Sequence, residues 1–266
     1  MATEVVDSRQ ALLAERDGRL VDFLVCGTQK GGTTALDAYL RQHPQICMAR
    51  EKELHFFNDE RRFSHCNPDY DRYHAWFLPT DGHRRVGEST PIYMYWELAP
   101  RRIWEYNPNM KIIVVLRNPI ERAYSHWNME RARGNENLSF WDAILNEEKR
   151  CREALPHQHV FYSYVDRGFY TEQLRRIWRY FPCENVLVLR TELLRRAPRE
   201  TLARVFNFLG VEEPEVFQER TEHTYPYRST MNDFERGYLR ELYEYEIRAL
   251  GRWLDWDVDD WVRGTA

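Results

Sequence analysis

VDFLVCGTQKGGTTALDAYLRQHP, residues 21–44, is the stretch on which the fold turns. Its first seven residues form a short apolar run ending in Gly27, the pattern of a buried strand. Ala35, Leu36, Tyr39 and Leu40 then recur at helical spacing, and Pro44 ends the helix. Between them lies GTQKGGTT (27–34). A strand, a glycine-rich turn and a helix in direct succession open a parallel α/β unit.

Two further units repeat this logic. KIIVVLR (111–117) is apolar and β-branched, as befits a strand buried on both faces, and Pro119 suits the first turn of the helix that follows. NVLVLR (185–190) is preceded by the helical YTEQLRRIWRYF and followed by APRETLARVFNFLG, a helix with Pro near its start and Gly at its end. ELAPRRIWEYNP reads as a helix ended by Asn107-Pro108, and a last helix covers roughly 231–250. No repeat, low-complexity tract or linker interrupts the chain. The expectation is an α/β fold: a single domain, 21–266, with a central parallel sheet flanked by helices in a nucleotide-kinase-like P-loop architecture. A polar N-terminal arm, 1–20, precedes it.

Composition narrows the function. The 266 residues suffice for one sizeable α/β domain. The formal net charge of −4 lacks the basic excess of a general nucleic-acid binder, so no nucleic-acid partner is expected. Five cysteines, at 26, 47, 66, 151 and 183, form no CxxC pair, which argues against a disulfide framework or a zinc site and suits a reducing compartment. His65, Cys66, His157 and His159 have no standard ligand spacing, so no metal is expected. Residues 1–20 carry no apolar signal core, and no stretch reaches 18 apolar residues. These features predict a cytoplasmic protein without a membrane span.

The glycine loop is built to hold phosphate. Gly31 and Gly32 permit a tight turn that brings N–H groups close to an anion, and the helix start adds its partial positive charge. Lys30 adds a full charge, and Thr33 and Thr34 offer hydroxyls. The usual nucleoside-triphosphatase loop sets Lys directly after its last Gly. Here Lys30 precedes Gly31-Gly32, and Thr33 takes the lysine's place. In EKELHFF (51–57), Glu53 and His55 stand two residues apart, so an extended backbone would turn both to one face. A carboxylate and an imidazole in a cleft are natural proton-transfer groups. Arg117 sits where a strand meets a turn, at the sheet edge where ligands of open α/β folds bind, and its guanidinium fork suits a phosphate. Arg122 competes for that contact. PIYMYW (91–96) suits either an acceptor cleft or the core.

Four segments in this order, QKGGTTAL (29–36), EKELHFF (51–57), GESTPIY (87–93) and LRNPIERAYSHW (116–127), resemble the PAPS-dependent sulfotransferases. PAPS is 3′-phosphoadenylyl sulfate. The likeness is closest to the heparan-sulfate-type branch and its bacterial relatives, and it covers about residues 21–255. The resemblance implies an enzyme of EC 2.8.2 type that takes PAPS as donor, releases PAP and needs no metal. It implies that Gly31, Gly32, Thr33 and Thr34 cradle the 5′-phosphosulfate, while Arg117 and Ser125 bind the 3′-phosphate. Tyr170, in RGFY, and Arg228, in TYPYRST, would lie near the nucleotide. Glu53 would be the base that takes the acceptor's proton, supported by His55, and Lys30 would stabilise the leaving group. The acceptor would offer a hydroxyl or amine on a small molecule, a sugar or a lipid, as in natural-product or carbohydrate sulfation, with small-molecule tailoring the favoured case. Two positions depart from the family pattern: Asn58 stands where many relatives have Asp, and Ser89 where many have Lys. The rival readings are a Mg-dependent nucleotide kinase or ATPase on a related fold, against which the displaced Lys30 argues, and a catalytically silent nucleotide-binding protein. The oligomeric state is not legible.

Overall fold

A computed structural model of the chain describes residues 20–64, 68–214 and 230–263. Arg228 lies outside the described residues, as do His65, Cys66 and residues 1–19 of the arm. Along the chain run β1 (Phe23–Gly27), α1 (Thr33–Leu40), β2 (Ile46–Met48), β3 (Arg85–Ser89), α2 (Ala99–Tyr106), β4 (Lys111–Leu116), α3 (Pro119–Ala132), α4 (Phe140–Leu145), α5 (Glu147–Glu153), α6 (Tyr170–Trp178), β5 (Val186–Arg190), α7 (Thr191–Arg196), α8 (Pro198–Leu209) and α9 (Asp233–Leu254). The class is the α/β parallel-sheet class that the strand–turn–helix units predict. The described residues divide into two compact units, 20–116 with 176–214, and 117–175 with 230–263.

The first unit holds the sheet. Its order is β2-β3-β1-β4-β5, and every pairing is parallel. β1, wholly buried, is the central strand. From β1 the chain goes to β2 and β3 on one side and then crosses to β4 and β5 on the other. That reversal makes the carboxyl end of β1 a topological switch point, where open α/β sheets bind ligands. The core follows from the two periodicities. Phe23, Val25, Ile113, Val115 and Leu189 project to one face, where they meet Leu36 and Leu40 of α1 and Leu202, Val205 and Phe206 of α8. Leu24, Cys26, Ile112 and Val114 alternate with them and are buried too, the mark of a sheet covered on both faces.

Three of the five strands are legible as apolar runs; β2 and β3 are not. β2 has only three residues, and β3 reads RVGES, with a charge at each end of its short apolar stretch. Gly87 within β3 is there for packing. A Cβ at that position would sit 2.4 Å from the Phe23 ring of β1. All of PIYMYW is buried, so that segment is core.

The second unit is helical. α3 starts at Asn118, whose Oδ1 accepts from Ile120 N at 3.0 Å. α9 opens with a capping box between Asn232 and Glu235. Arg122 of α3 is completely buried and donates to the carbonyl of Tyr164. Glu147, at the start of α5, accepts from Val165 N and Asp166 N, each at 2.7 Å in its shorter contact. Burial pushes the Glu147 carboxyl up to about 8; the two N–H donors and Arg122 oppose the rise, and the Asp166 charge adds to it. The native state therefore keeps a proton that the unfolded chain loses, so this group's contribution is complete below the unfolded value and fades as pH rises through about 8. Relative to Glu147→Gln, the native chain should lose about 1.4 kcal/mol of stability per pH unit between about pH 5 and 8. Denaturant melts of both chains across that range check it; parallel curves would contradict it.

Candidate functional site

The glycine loop sits at the switch point. Thr28 N donates to Val115 O at 2.9 Å, and Gly31 N donates back to Thr28 O at 2.9 Å, which folds the chain tightly over the end of β4. A Cβ on Gly31 would stand 2.3 Å from Val115 O and 2.9 Å from Thr28 O, both backbone atoms, so only glycine fits. Gly32, the N-cap of α1, has φ +94°, and Lys30 has φ +69°. α1 has no acidic residue in its first turn and no side-chain cap, so its positive end is not neutralised by its own residues. Thr33 is buried and Thr34 exposed. The loop, with Lys30 at its crest, therefore fits the charge and the close backbone approach of a phosphate or phosphosulfate group.

Thr191 carries no signal in the sequence. At the carboxyl end of β5, fully buried, it shares its hydroxyl hydrogen between Leu116 O, at 3.0 Å, and Gly31 O. It thereby staples the glycine loop to the ends of β4 and β5. Nothing local in RTELL marks this role, because it depends on which strands end side by side.

The 51–57 segment also belongs to the first unit, but it is not extended. Glu53 has φ +64° and His55 φ +52°, both left-handed. The expected same-face geometry of a strand is therefore replaced by a contorted loop, held by a bond from Glu53 N to Ser89 O at 2.9 Å. The two side chains still converge, with His55 Nε2 3.9 Å from Glu53 Oε2. His55 Nδ1 lies 3.1 Å from Asn58 Oδ1, so the position that departs from the family pattern orients the imidazole. Lys52, which the sequence does not single out, reaches Glu53 Oε1 at 2.5 Å. The Glu53 carboxylate thus has a cation on one oxygen and an imidazole near the other. Its side chain keeps 37% of its surface exposed, so a substrate can reach it.

The remaining candidates belong to the second unit. Arg117 follows β4 directly and is partly exposed, and Ser125 is buried on α3. Arg122, the competitor for the phosphate contact, has no exposed surface and donates from Nη2 to the Tyr164 carbonyl. Tyr170 has no exposed surface, and its hydroxyl donates to Arg117 O at 2.8 Å, so it supports the backbone of Arg117. At Gly168, a Cβ would lie 2.3 Å from the Tyr243 hydroxyl, so that approach requires glycine. Among the described residues, no helix is long and apolar enough to cross a membrane.

Comparison with known proteins gives a consistent pattern. The family model of the sulfotransferase domain matches residues 20–234. Heparan sulfate glucosamine 3-O-sulfotransferase 6 of Mus musculus is 35% identical over 198 residues, covering 73% of this chain and 53% of that protein. The bifunctional heparan sulfate N-deacetylase/N-sulfotransferase 2 of Homo sapiens is 30% identical over 207 residues, covering 73% of this chain and 22% of that protein. The chain therefore spans about half the length of the first relative and less of the other. Among solved structures, the sulfotransferase from Alicyclobacillus acidocaldarius is similar at a TM-score of 0.77 and 28% identity, covering 91% of this chain and 99% of that one.

Proposed function

Because this chain belongs to the sulfotransferase domain family, we propose that it moves a sulfuryl group from PAPS to a hydroxyl or amine of a carbohydrate acceptor, with Glu53 as the base. The observation that carries the reading is the Glu53 carboxylate, reachable from solvent and flanked by Lys52 and His55 on a loop tied to the end of β3. Relatives named for O-sulfation and for N-sulfation of heparan sulfate support a sugar hydroxyl or amine as the nucleophile.

Glu53 takes the proton from the acceptor as its oxygen or nitrogen attacks sulfur. His55 holds the acceptor or the base in line. The 31–34 backbone and the start of α1 hold the 5′-phosphosulfate, which fits a loop where only glycine can pass Val115 O. Lys30 meets the charge that builds on the bridging oxygen and the departing phosphate as the S–O bond breaks, which stabilises the transition state more than the ground state. Arg117 and Ser125 take the 3′-phosphate, a bidentate task for the guanidinium. Tyr170 steadies Arg117 through its carbonyl.

Incubation with sulfur-labelled PAPS and a panel of acceptors tests this. Label transferred to a glucosamine-containing oligosaccharide is the expected result. Label passing only to small hydroxylated aromatic or lipid compounds would keep the transfer and replace the acceptor class. ATP-dependent phosphorylation with Mg²⁺, and no sulfation of any acceptor, would refute the proposal.

A further inference from the structure

Beneath the base-bearing loop lies a buried carboxylate with no assigned task. Glu88, near the end of β3, has no exposed surface. Its Oε1 accepts from Tyr73 Oη at 2.8 Å and from Tyr93 Oη at 3.0 Å, and its Oε2 accepts from Thr90 Oγ1 at 2.8 Å. The fourth donor is the backbone N–H of Leu54, which lies between Glu53 and His55. Burial raises the Glu88 carboxyl above the usual carboxylate range, and the four donors, which fill about the four lone-pair sites of a carboxylate, oppose that rise.

Tyr93 extends the same network into the loop. Its hydroxyl gives its one hydrogen to Glu88 and accepts Phe56 N at 2.9 Å and Phe57 N at 3.3 Å. Burial lifts both tyrosine hydroxyls far above their usual range, with the Glu88 charge adding to it, so both remain donors. The backbone from 53 to 57 is thus anchored at four N–H groups: one on Ser89 O, one on Glu88 and two on the Tyr93 hydroxyl. This segment needs such anchoring. Glu53 and His55 both adopt left-handed backbone, a conformation that non-glycine residues keep only when their surroundings over-determine it.

We propose that Glu88 is a positioning residue for the transfer reaction: through Leu54 N and the Tyr93 hydroxyl it sets the loop geometry that aims the Glu53 carboxylate. The inference rests on the reading of Glu53 as the base. The buried amide of Glu88→Gln keeps the shape but turns N–H groups toward donors, so the loop loses its fixed path.

The test is a cycle of Glu88→Gln, Glu53→Gln and the double variant in the full chain. Turnover number, KM for PAPS and thermal stabilisation by 3′,5′-ADP are measured at a temperature where circular dichroism shows each variant folded. Glu88→Gln should lower kcat at least about tenfold, leave KM for PAPS and the 3′,5′-ADP shift within about twofold, and add no further loss to Glu53→Gln, since both act through one group. Tyr93→Phe, which keeps the ring and removes the bridging hydroxyl, should lower kcat in the same way and serves where Glu88→Gln does not fold. A folded Glu88→Gln with kcat within about twofold of the native chain would overturn the proposal, and so would full multiplication of the two losses in the double variant. Native turnover in Glu53→Gln alone would remove the base reading and this inference with it, an outcome distinguishable because that single variant reports it.

Discussion

Glu53→Gln is expected to lower kcat by about 10²–10⁴-fold, the usual worth of a positioned general base, while donor binding stays near native. The substitution preserves size and hydrogen-bonding reach but removes the site that receives the acceptor's proton. Lys52 and His55 remain where they are, since the loop is anchored through backbone N–H groups and not through the Glu53 side chain. The donor loop belongs to a different segment, 27–34, so a selective loss in kcat is the signature of the role. A fall in donor affinity without a fall in single-turnover rate would assign Glu53 to binding instead, and native turnover would require a different base.

Lys30→Ala is expected to reduce kcat by about 10²–10³-fold, the range for removing one group aimed at developing transition-state charge. Lys30 is set at the crest of the glycine loop by a left-handed backbone, between a residue bonded to β4 and a glycine that no side chain could replace. Ground-state binding should suffer less than turnover, because the charge it meets grows as the S–O bond breaks. Single-turnover rates compared with donor titrations separate the two. A loss confined to affinity would make Lys30 an ordinary phosphate ligand.

What the sequence discloses here has a physical pattern. Strands β1, β4 and β5 announce themselves because each carries an uninterrupted apolar run, buried throughout in β1 and nearly so in β4, partly buried in the edge strand β5. β2 and β3 do not, because three residues carry no period and because β3 gives up a side chain at Gly87 to make room for the Phe23 ring. In the site, Gly31, Gly32 and Lys30 are legible since a phosphate loop is a local device. Glu53 and His55 are legible as residue types, but their left-handed geometry is not, since it is imposed by Glu88 and Tyr93 some forty residues on. Thr191 and Lys52 escape the sequence for related reasons. Thr191 acts by joining the ends of separate strands, and Lys52 resembles any other surface charge until its distance to Glu53 is known. Tyr170 is legible as a motif residue, but its hydroxyl bond to Arg117 O is not, since it joins distant parts of the chain.

Use of PAPS as donor, as proposed, requires that the chain bind a 3′-phosphorylated adenine nucleotide. The most direct test of that binding is thermal unfolding of the full chain with 3′,5′-ADP and, separately, with ADP plus Mg²⁺. A ligand bound only by the folded state adds about 2.7 kcal/mol at a hundredfold excess over its dissociation constant. A clear stabilisation by 3′,5′-ADP and little by ADP–Mg²⁺ is the expected result. Stabilisation by ADP–Mg²⁺ with none by 3′,5′-ADP would contradict use of PAPS as donor.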